Sequence, residues 1–468
     1  MSRINTNVSS LIAQRVLSRN NDALNKSLQR LSTGLKINSG GDNPAGLIAS
    51  ENLRAEKAGI LQAIDNANRA TNIVGTAEGG LAEISNLLTE VQSLVSASAN
   101  SGGLSQEEKN ANQLQIDSIL NTINRIAGST SFQGSKLLNG NYDYTTSGVA
   151  STALTDVRIN AARVPDGATT NVVVNVTTSA QTGVVSFSGS TAGAVTIEIT
   201  GNLGTQQLSF ASGTTASSIA TAIAGVASVT GVSAVLSGGA AAITSTEFGS
   251  EQFVSVRALS GTFSVTGGTN GKDFGRDAVV NVNGASAQAQ GKTISYRSGG
   301  LDVEFDLADA FNVGSSSTSF AVTGGGATFA LGSKASEAEK TSLGIRALTT
   351  GNLGSSSKGF LSSLASGGAN ALTGTTLSTS QAIVDSAIKQ VSELRGRLGA
   401  FQKYELGSTV NSLGIALENA SAAESAIRDT DFAEETANLT RNQILSQAAS
   451  SVLSQANASP QAALLLLR

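Results

Sequence analysis

Apolar residues near both ends of the chain recur in alternating steps of three and four, which is the spacing of a coiled-coil seam. Each helix with such a seam needs a partner to cover it. The simplest arrangement pairs N-terminal with C-terminal helices, so the sequence predicts one helical core made from both chain ends. The series are Leu24, Leu28, Leu31, Leu35; Leu81, Ile84, Leu88, Val91, Val95; Ile116, Ile119, Ile123, Ile126; Val384, Ala387, Val391, Leu394, Leu398, Phe401; and Leu406, Val410, Leu413, Leu417, Ala420.

The last two series do not share one phase. The step from Phe401 to Leu406 is typical of a stutter, a local change of phase in a coiled coil. A Gly/Ser/Asn cluster at residues 100–103 is expected to break the N-terminal helices. Asn43 and Pro44 are typical of a helix cap and a first helical position.

The middle of the chain has a different composition. From Gly167 to Thr246 the only charged residue is Glu198, and Gly, Ser, Thr and Val dominate. Alternating runs predict strands, separated by Gly-containing turns, and one short helix is predicted at about 215–226. The predicted strands are Val195–Ile199, Leu208–Phe210 and Phe253–Val256. The fold class is therefore α+β: paired terminal coiled-coil helices with a central inserted β-rich region, either one domain or two units near 171–260 and 277–331.

Two polar stretches invite a comparison with ligand sites. The Gly-rich residues 39–46 lack the preceding strand and the Gly-Lys-Ser/Thr ending of a phosphate loop, so a hinge before a helix is the better interpretation. The acidic residues 429–435 resemble a metal cluster, but acids at a helix start also complement the helix dipole. We expect a helix start there, and neither a metal nor a cofactor.

Residue types that are missing restrict the chemistry. The chain has no His and no Cys, which excludes His-based acid–base catalysis, thiolate metal sites and disulfides. The net charge of −4 argues against nucleic acid as a partner. No apolar run approaches the roughly 20 residues of a membrane span, and the N-terminal stretch lacks the apolar core of a secretory signal. We therefore expect a non-enzymatic protein without membrane insertion.

The extreme ends, residues 1–40 and 430–468, are short of large apolar side chains yet periodic, and the chain finishes in a Leu run. An exposed apolar run is a liability for a free monomer, so the ends are predicted to be buried between subunits. A head-to-tail contact that does not close a ring builds an open filament. The candidate assembly residues are Leu24, Leu28, Leu31, Leu35, Leu439, Ile444, Leu464, Leu465, Leu466 and Leu467.

Several motifs at both ends closely resemble those of bacterial flagellin. They are residues 4–7 (INTN), 28–38 (LQRLSTGLKIN), 42–46 (DNPAG), 132–140 (FQGSKLLNG), 429–435 (DTDFAEE) and 439–445 (LTRNQIL). The resemblance covers roughly residues 1–140 and 380–468 and is more diffuse over 325–379. It implies a structural subunit that polymerises into the flagellar filament used for swimming.

The resemblance also implies a domain plan. Residues 1–42 and 428–468 would form an inner domain lining a channel. Residues 43–175 and 330–427 would form a helical core with a β-hairpin, and residues 176–329 a surface-exposed β insertion of one or two subdomains. The core seam would comprise Leu81, Ile84, Leu88, Val91, Val384, Val391, Leu394 and Leu398. A hairpin that controls filament supercoil would contain Phe132, Gly134, Leu137 and Gly140.

Partners and location follow from the same resemblance. They are further copies of the chain, an export chaperone at the C-terminal helices, and the hook-junction and cap proteins. The chain would be extracellular, in the filament, and exported without a cleavable signal peptide.

One patch departs from the family pattern. Glu90, Gln92 and Ser93 stand where flagellins recognised by the vertebrate flagellin receptor have Arg, Arg and Glu. Replacing Arg by Glu reverses a charge and removes a bidentate donor, so we expect weak or absent receptor activation. Two alternative functions are a hook-filament junction protein, which resembles flagellin at both ends, and a secreted β-rich adhesin with a helical stalk.

Overall fold

A computed structural model describes residues 6–100, 103–165, 167–298, 300–334, 336–372 and 377–465, with side chains through residue 459. The described α-helices are α1 Val8–Thr33, α2 Pro44–Ser98, α3 Gln106–Ser129, α4 Ala216–Gly225, α5 Ala227–Thr230, α6 Leu377–Ala400, α7 Gly407–Arg428 and α8 Phe432–Leu465. A π-helix, Phe401–Leu406, joins α6 to α7, and short 3-10 helices occupy Glu337–Glu339 and Leu361–Leu364. Of these helices, none is long and apolar enough to cross a membrane.

The strands are short, and all those in the described residues lie between α3 and α6 in the sequence. They are β1 Ser131–Phe132, β2 Ser135–Lys136, β3 Tyr144–Ser147, β4 Leu154–Ala162, β5 Thr170–Thr178, β6 Val184–Ser188, β7 Val195–Gly201, β8 Thr205–Phe210, β9 Val232–Ser237, β10 Ala240–Ser245, β11 Phe253–Ser260, β12 Lys272–Phe274, β13 Val279–Val282, β14 Ala285–Ser286, β15 Gln288–Gln290, β16 Thr293–Ser298, β17 Leu301–Leu307, β18 Ser316–Gly325, β19 Ala327–Ala330, β20 Lys340–Leu343, β21 Gly354–Ser355 and β22 Gly359–Phe360. The four larger sheets have the orders β6-β10-β9, β12-β11-β7-β8, β14-β13-β5-β18-β3 and β15-β16-β17-β4.

The helices begin where local chemistry satisfies their free N–H groups. The Asn43 side chain accepts from the Gly46 amide at 3.0 Å, directly before Pro44 opens α2. Ser105 and Glu108 form a reciprocal capping box at the start of α3. Asp431 accepts from the amide of Ala433 at 2.8 Å before α8. The helix starts predicted near residues 43 and 431 and the break near residue 100 are confirmed.

The described residues fall into two compact units. The first lies within 1–68, 330–339 and 407–468, and the second within 69–329 and 340–406. These boundaries differ from the expected ones after residues 42 and 427. The reason lies in the first unit, where ion pairs hold the first part of α2 against α7: Lys57 Nζ is 2.7 Å from Glu424 Oε2, and Arg428 Nη1 is 3.1 Å from Glu51 Oε1.

The second unit contains a helical core and a β region. The facing sides of α2, α3 and α6 pack into one apolar core, together with loop residues such as Leu348 and Leu353. The structure places all eight core-seam residues there, fully buried: Leu81, Ile84, Leu88, Val91, Val384, Val391, Leu394 and Leu398. Periodic apolar side chains on three helices therefore meet as the heptad spacing indicates.

The β region of the second unit has two cores, one nested inside the other. Strands β6 to β12 and α4 enclose the nested core around Ile197, Ile219 and Ile243. The strands before and after them, β3–β5 and β13–β18, enclose the other core. The β region therefore begins at β3, earlier than the expected start at residue 176, because β3 pairs with β18 and β4 with β17. The expected strands at 195, 208 and 253 and the helix near 215 are confirmed.

Candidate assembly interface

Helices α1 and α8 pack together along the first unit. At one end of the pair the backbones of the two flanking turns are hydrogen-bonded: the Lys36 amide donates to the Arg428 carbonyl at 2.7 Å, and the Thr430 amide donates to the Gly34 carbonyl at 2.9 Å. Gly34 ends α1 with a φ of 71°, a left-handed conformation that glycine adopts without steric cost. Hydrogen-bonded residues of the two helices have numbers that add up to about 465, as for Asn20 and Leu445. The two helices therefore run antiparallel.

Polar side chains hold this pair together. Asn7 Nδ2 donates to the Ala456 carbonyl at 2.8 Å, Asn20 Nδ2 to the Leu445 carbonyl at 3.1 Å, and Asn442 Nδ2 to Ser27 Oγ at 3.2 Å. Ser446 Oγ donates to Asn21 Oδ1 at 2.7 Å. Arg30 and Glu435 form an ion pair at 3.5 Å. A polar hydrogen bond of this kind contributes only about 0.5–1.5 kcal/mol net, so these contacts specify alignment more than stability.

The residues buried in α1 and α8 are small or polar. In the described parts of the two helices they are Ala13, Ser27, Glu435 and Ala449. Small residues let two helices approach closely but remove little apolar surface from water. The fully buried part of the contact therefore gains little from the hydrophobic effect within one subunit.

Large apolar side chains of the same helices face solvent instead. They are Val8, Leu11, Ile12, Val16 and Leu28 on α1, and Phe432, Ile444, Leu445 and Val452 on α8. Val8, Leu11, Ile12 and Val16 share one face of α1, and an exposed apolar stripe of this kind is typical of a protein–protein interaction site. We call these nine residues the exposed apolar set.

The structure distributes the sequence-predicted assembly residues unevenly. Leu28 and Ile444 are exposed, by 47% and 64%. Leu24, Leu31, Leu35 and Leu439 are half-buried. Leu466 and Leu467 lie outside the described residues, as do the side chains of Leu464 and Leu465.

Other members of the exposed apolar set were missed by the sequence analysis, namely Val8, Leu11, Ile12, Val16, Phe432, Leu445 and Val452. For four of them a signal was present. On α1, apolar residues follow Val8 after three, four and eight positions: Leu11, Ile12 and Val16. This spacing places them in one apolar stripe on a single helix face.

The predicted switch hairpin consists of β1 and β2. Its two turn residues, Gln133 and Gly134, have φ values of 49° and 86°, as a tight type I′ hairpin turn requires. Leu137 is fully buried in the helical core, and Phe132 packs partly against it. The hairpin is therefore anchored to the helices rather than free in solvent.

The three residues that differ from the receptor-recognised pattern, Glu90, Gln92 and Ser93, lie on α2. Glu90 and Ser93 are exposed. Gln92 is half-buried and its Nε2 donates to Asp385 Oδ1 of α6 at 2.9 Å. Within the described residues, no group of three or more carboxylates is arranged to hold a metal ion.

The chain is similar to several known proteins. Residues 4–143 match the family model for the bacterial flagellin N-terminal helical region, and residues 381–467 match that for the C-terminal helical region. The B-type flagellin of Pseudomonas aeruginosa and Flagellin D of Vibrio anguillarum are each 31% identical to this chain, over 99% of both chains. Flagellin D of Vibrio cholerae is 30% identical with the same coverage. The solved structure of FliC from Burkholderia pseudomallei aligns with 71% of this chain and 99% of its own at 16% identity, with a TM-score of 0.25, which is too low to compare the folds.

Proposed function

Because the chain belongs to the bacterial flagellin family and is a structural subunit of the flagellar filament, we propose that α1 and α8 are the elements that join one subunit to the next. The observation that carries this proposal is the exposed apolar set on these two helices. Covering one Leu- or Ile-sized side chain contributes roughly 1.5–3 kcal/mol. Contacts between subunits therefore supply the stabilisation that the small and polar α1–α8 contact lacks.

The same proposal assigns a role to each domain of the chain. Residues 1–42 and 428–468 form the inner domain that lines the filament channel. Residues 43–175 and 330–427 form the second domain, which holds the helical core and contributes β3 and β4 to the β region, and residues 176–329 form the surface insertion. The hairpin of β1 and β2, anchored by Leu137, is the element that selects filament supercoil.

We also infer the location and the partners of this chain from its membership of the flagellin family. The filament places the chain outside the cell. An export chaperone covers the C-terminal helices, and hook-junction and cap proteins contact the two filament ends. The flagellin family is structural, and the chain itself lacks the His residue that most hydrolytic sites need. Full-length matches to flagellins support the filament subunit over the hook-filament junction protein and the adhesin.

The first test is negative-stain electron microscopy of the full chain after seeding or salting-out. A variant lacking residues 1–40 and 430–468 is examined beside it. We expect long tubular filaments from the full chain and monomers alone from the truncation. Monomers from both chains under every seeding condition would contradict the proposal.

A sharper test uses single substitutions matched for exposure. Ile444 on α8 and Val235 on β9 are both 64% exposed. We expect Ile444→Gln to abolish or strongly slow polymerisation with little change in the monomer's melting temperature, because most of the side chain is exposed in the monomer. Val235→Gln, on the β insertion, should polymerise like the unmodified chain. Equal polymerisation of the two variants would rule out the exposed apolar set as the contact surface.

A further inference from the structure

A cavity of about 420 Å³ lies within the second unit, where the sheet of β4, β16 and β17 faces α6. Its charged lining consists of four arginines and two glutamates: Arg158, Arg297, Arg346, Arg397, Glu304 and Glu393. Arginine concentrated in a concave site is typical of oxyanion recognition, because the guanidinium offers several donors in a fixed planar fork.

Two of the four arginines have carboxylate partners. Arg158 Nη1 is 3.2 Å from Glu304 Oε1, and Arg297 Nε is 2.8 Å from Asp302 Oδ2. The second lining glutamate, Glu393, pairs with Lys389 at 3.8 Å. The lining carboxylates are thus engaged by groups other than Arg346 and Arg397.

Arg346 and Arg397 lack such partners. In the part of the chain that the structure describes, no carboxylate oxygen lies within 4.0 Å of either guanidinium. Nε and Nη2 of Arg346 and Nη1 of Arg397 are buried and donate no hydrogen bond. A buried donor without an acceptor costs about 1–3 kcal/mol, and a charged one costs more.

Nearby carboxylates attract these two guanidinium groups without pairing with them: Glu304 and Asp143 act on Arg346, and Asp302, Glu304 and Glu393 act on Arg397. The Asn160 amide donates to Asp302, and the Gln390 amide bonds the backbone of Gly354. Asp143 lies nearby, but its carboxyl accepts from the Tyr144 amide, and burial raises its pKa. Burial, with the charges of Arg158 and Arg397, lowers the pKa of Arg346 to about 10, so it still carries its charge at neutral pH.

We propose that this cavity binds a tetrahedral oxyanion of the phosphate or sulfate class, held by Arg346 and Arg397. Arg397 belongs to α6, and Arg346 follows β20. The anion accepts from both guanidinium groups, satisfies their free N–H donors and ties the segment after β20 to the helix. The site is independent of the polymerisation surface on α1 and α8.

The test is calorimetric titration and thermal unfolding of the full-length monomer with inorganic phosphate, against chloride at matched ionic strength. Sulfate serves as the second tetrahedral anion. We expect saturable binding and a rise in melting temperature with phosphate and sulfate but not with chloride. In Arg346→Gln and Arg397→Gln, affinity should fall at least tenfold.

Arg395→Gln is the matched control. Arg395 lies on the same helix, two residues from Arg397, but it faces Glu78 at 4.0 Å and does not line the cavity. Its affinity for phosphate should equal that of the unmodified chain. Equal affinity of Arg395→Gln, Arg346→Gln and Arg397→Gln would overturn the proposal, as would a monomer that shows no saturable response to either anion.

A fourth variant tests the site without changing its charge. Gly396 lines the cavity, and a Cβ built on it meets no atom within 4 Å. Gly396→Leu should therefore fold normally, fill the cavity and weaken phosphate binding at least tenfold. A Gly396→Leu chain with normal circular dichroism and undiminished phosphate affinity would place binding elsewhere and overturn the assignment.

Discussion

At the scale of single residues, Asp42 organises the turn between α1 and α2. Its Oδ2 accepts from the Ser39 amide and the Ser39 hydroxyl, both at 3.0 Å, and from the Asn38 amide at 3.3 Å. Lys26 Nζ lies 3.3 Å from Oδ1. The backbone hydrogen bond from Ser39, followed by that from its hydroxyl, lowers the pKa of Asp42 to about 2. One carboxylate therefore closes the glycine-rich turn that the sequence suggested as a hinge.

The depressed pKa predicts how the stability of this turn depends on pH. The ionised form is stabilised in the folded state, so the contribution is present above the unfolded pKa of about 3.9 and is lost as pH falls through about 2. We expect Asp42→Asn to lower the melting temperature of the monomer by a few degrees at pH 6–7. The difference should shrink between pH 4 and pH 2. Thermal unfolding of both chains across this range measures it, and a difference that does not depend on pH would contradict the electrostatic origin.

At the scale of secondary-structure elements, the change of seam phase has a defined backbone form. The five-residue step between Phe401 and Leu406 coincides with a π-helix, in which residues i and i+5 lie on one face. Leu406 is fully buried. The extra residue in the helix accommodates the five-residue step, and the predicted stutter takes the form of a π-helical turn.

The outward face of α2 carries the predicted loss of receptor recognition. We expect the unmodified chain to be a weak activator of the vertebrate flagellin receptor. The triple variant Glu90→Arg, Gln92→Arg, Ser93→Glu should activate it at least tenfold more strongly, because it restores two guanidinium forks. Arg at position 92 would also meet Asp385, which Gln92 contacts now. A cell reporter assay with purified monomer measures the response.

A control for this prediction lies on the same helix. Glu83 is exposed two turns before Glu90, so Glu83→Arg makes the same charge change outside the patch. It should leave the weak response unchanged. Potent receptor activation by the unmodified chain would contradict the prediction.

At the scale of the molecule, the nested β subdomain is joined to the outer β core by a neck at Gln181 and Arg276 and by contacts of Phe248 and Ser250. The amide of Gln181 donates to the Arg276 carbonyl at 2.8 Å, and the amide of Arg276 donates to the Gln181 carbonyl at 2.9 Å. Beyond the neck, β5 and β13 pair directly, with Val176 opposite Val280. The chain therefore enters and leaves the nested subdomain at one point.

This attachment predicts that the nested subdomain can be removed. Replacing residues 182–275 by a short Gly-rich linker should leave a folded monomer that still polymerises, because the two cut ends are already hydrogen-bonded neighbours. Its melting temperature should fall, because the contacts of Phe248 and Ser250 with the outer core are lost. Removing residues 176–329 instead takes away β17 and β18, the partners of β4 and β3. That chain should aggregate. Circular dichroism, thermal unfolding and electron microscopy compare the two, and equal behaviour would contradict the nested arrangement.

Much of this architecture follows from local patterns. Periodicity over a few turns predicts which residues of a helix share a face, and the seam residues from Leu81 to Leu398 indeed meet in one core. Alternation predicts strands such as β7 and β11, and capping residues predict the starts of α2 and α8. Each of these signals arises between residues close in sequence, so the order of residues is enough to establish it.

Long-range features required the folded chain. Nothing local indicates that β4 pairs with β17, about 145 residues away, or that Arg158, Arg346 and Arg397 line one cavity. Nor does a heptad pattern say which side of α1 meets α8: Ala13 and Ser27 are buried while Leu28 of the predicted seam is exposed. A periodic pattern defines the faces of an element. Which face is covered depends on the partners that the rest of the chain brings to it, and for α1 we propose that the apolar partner belongs to another subunit.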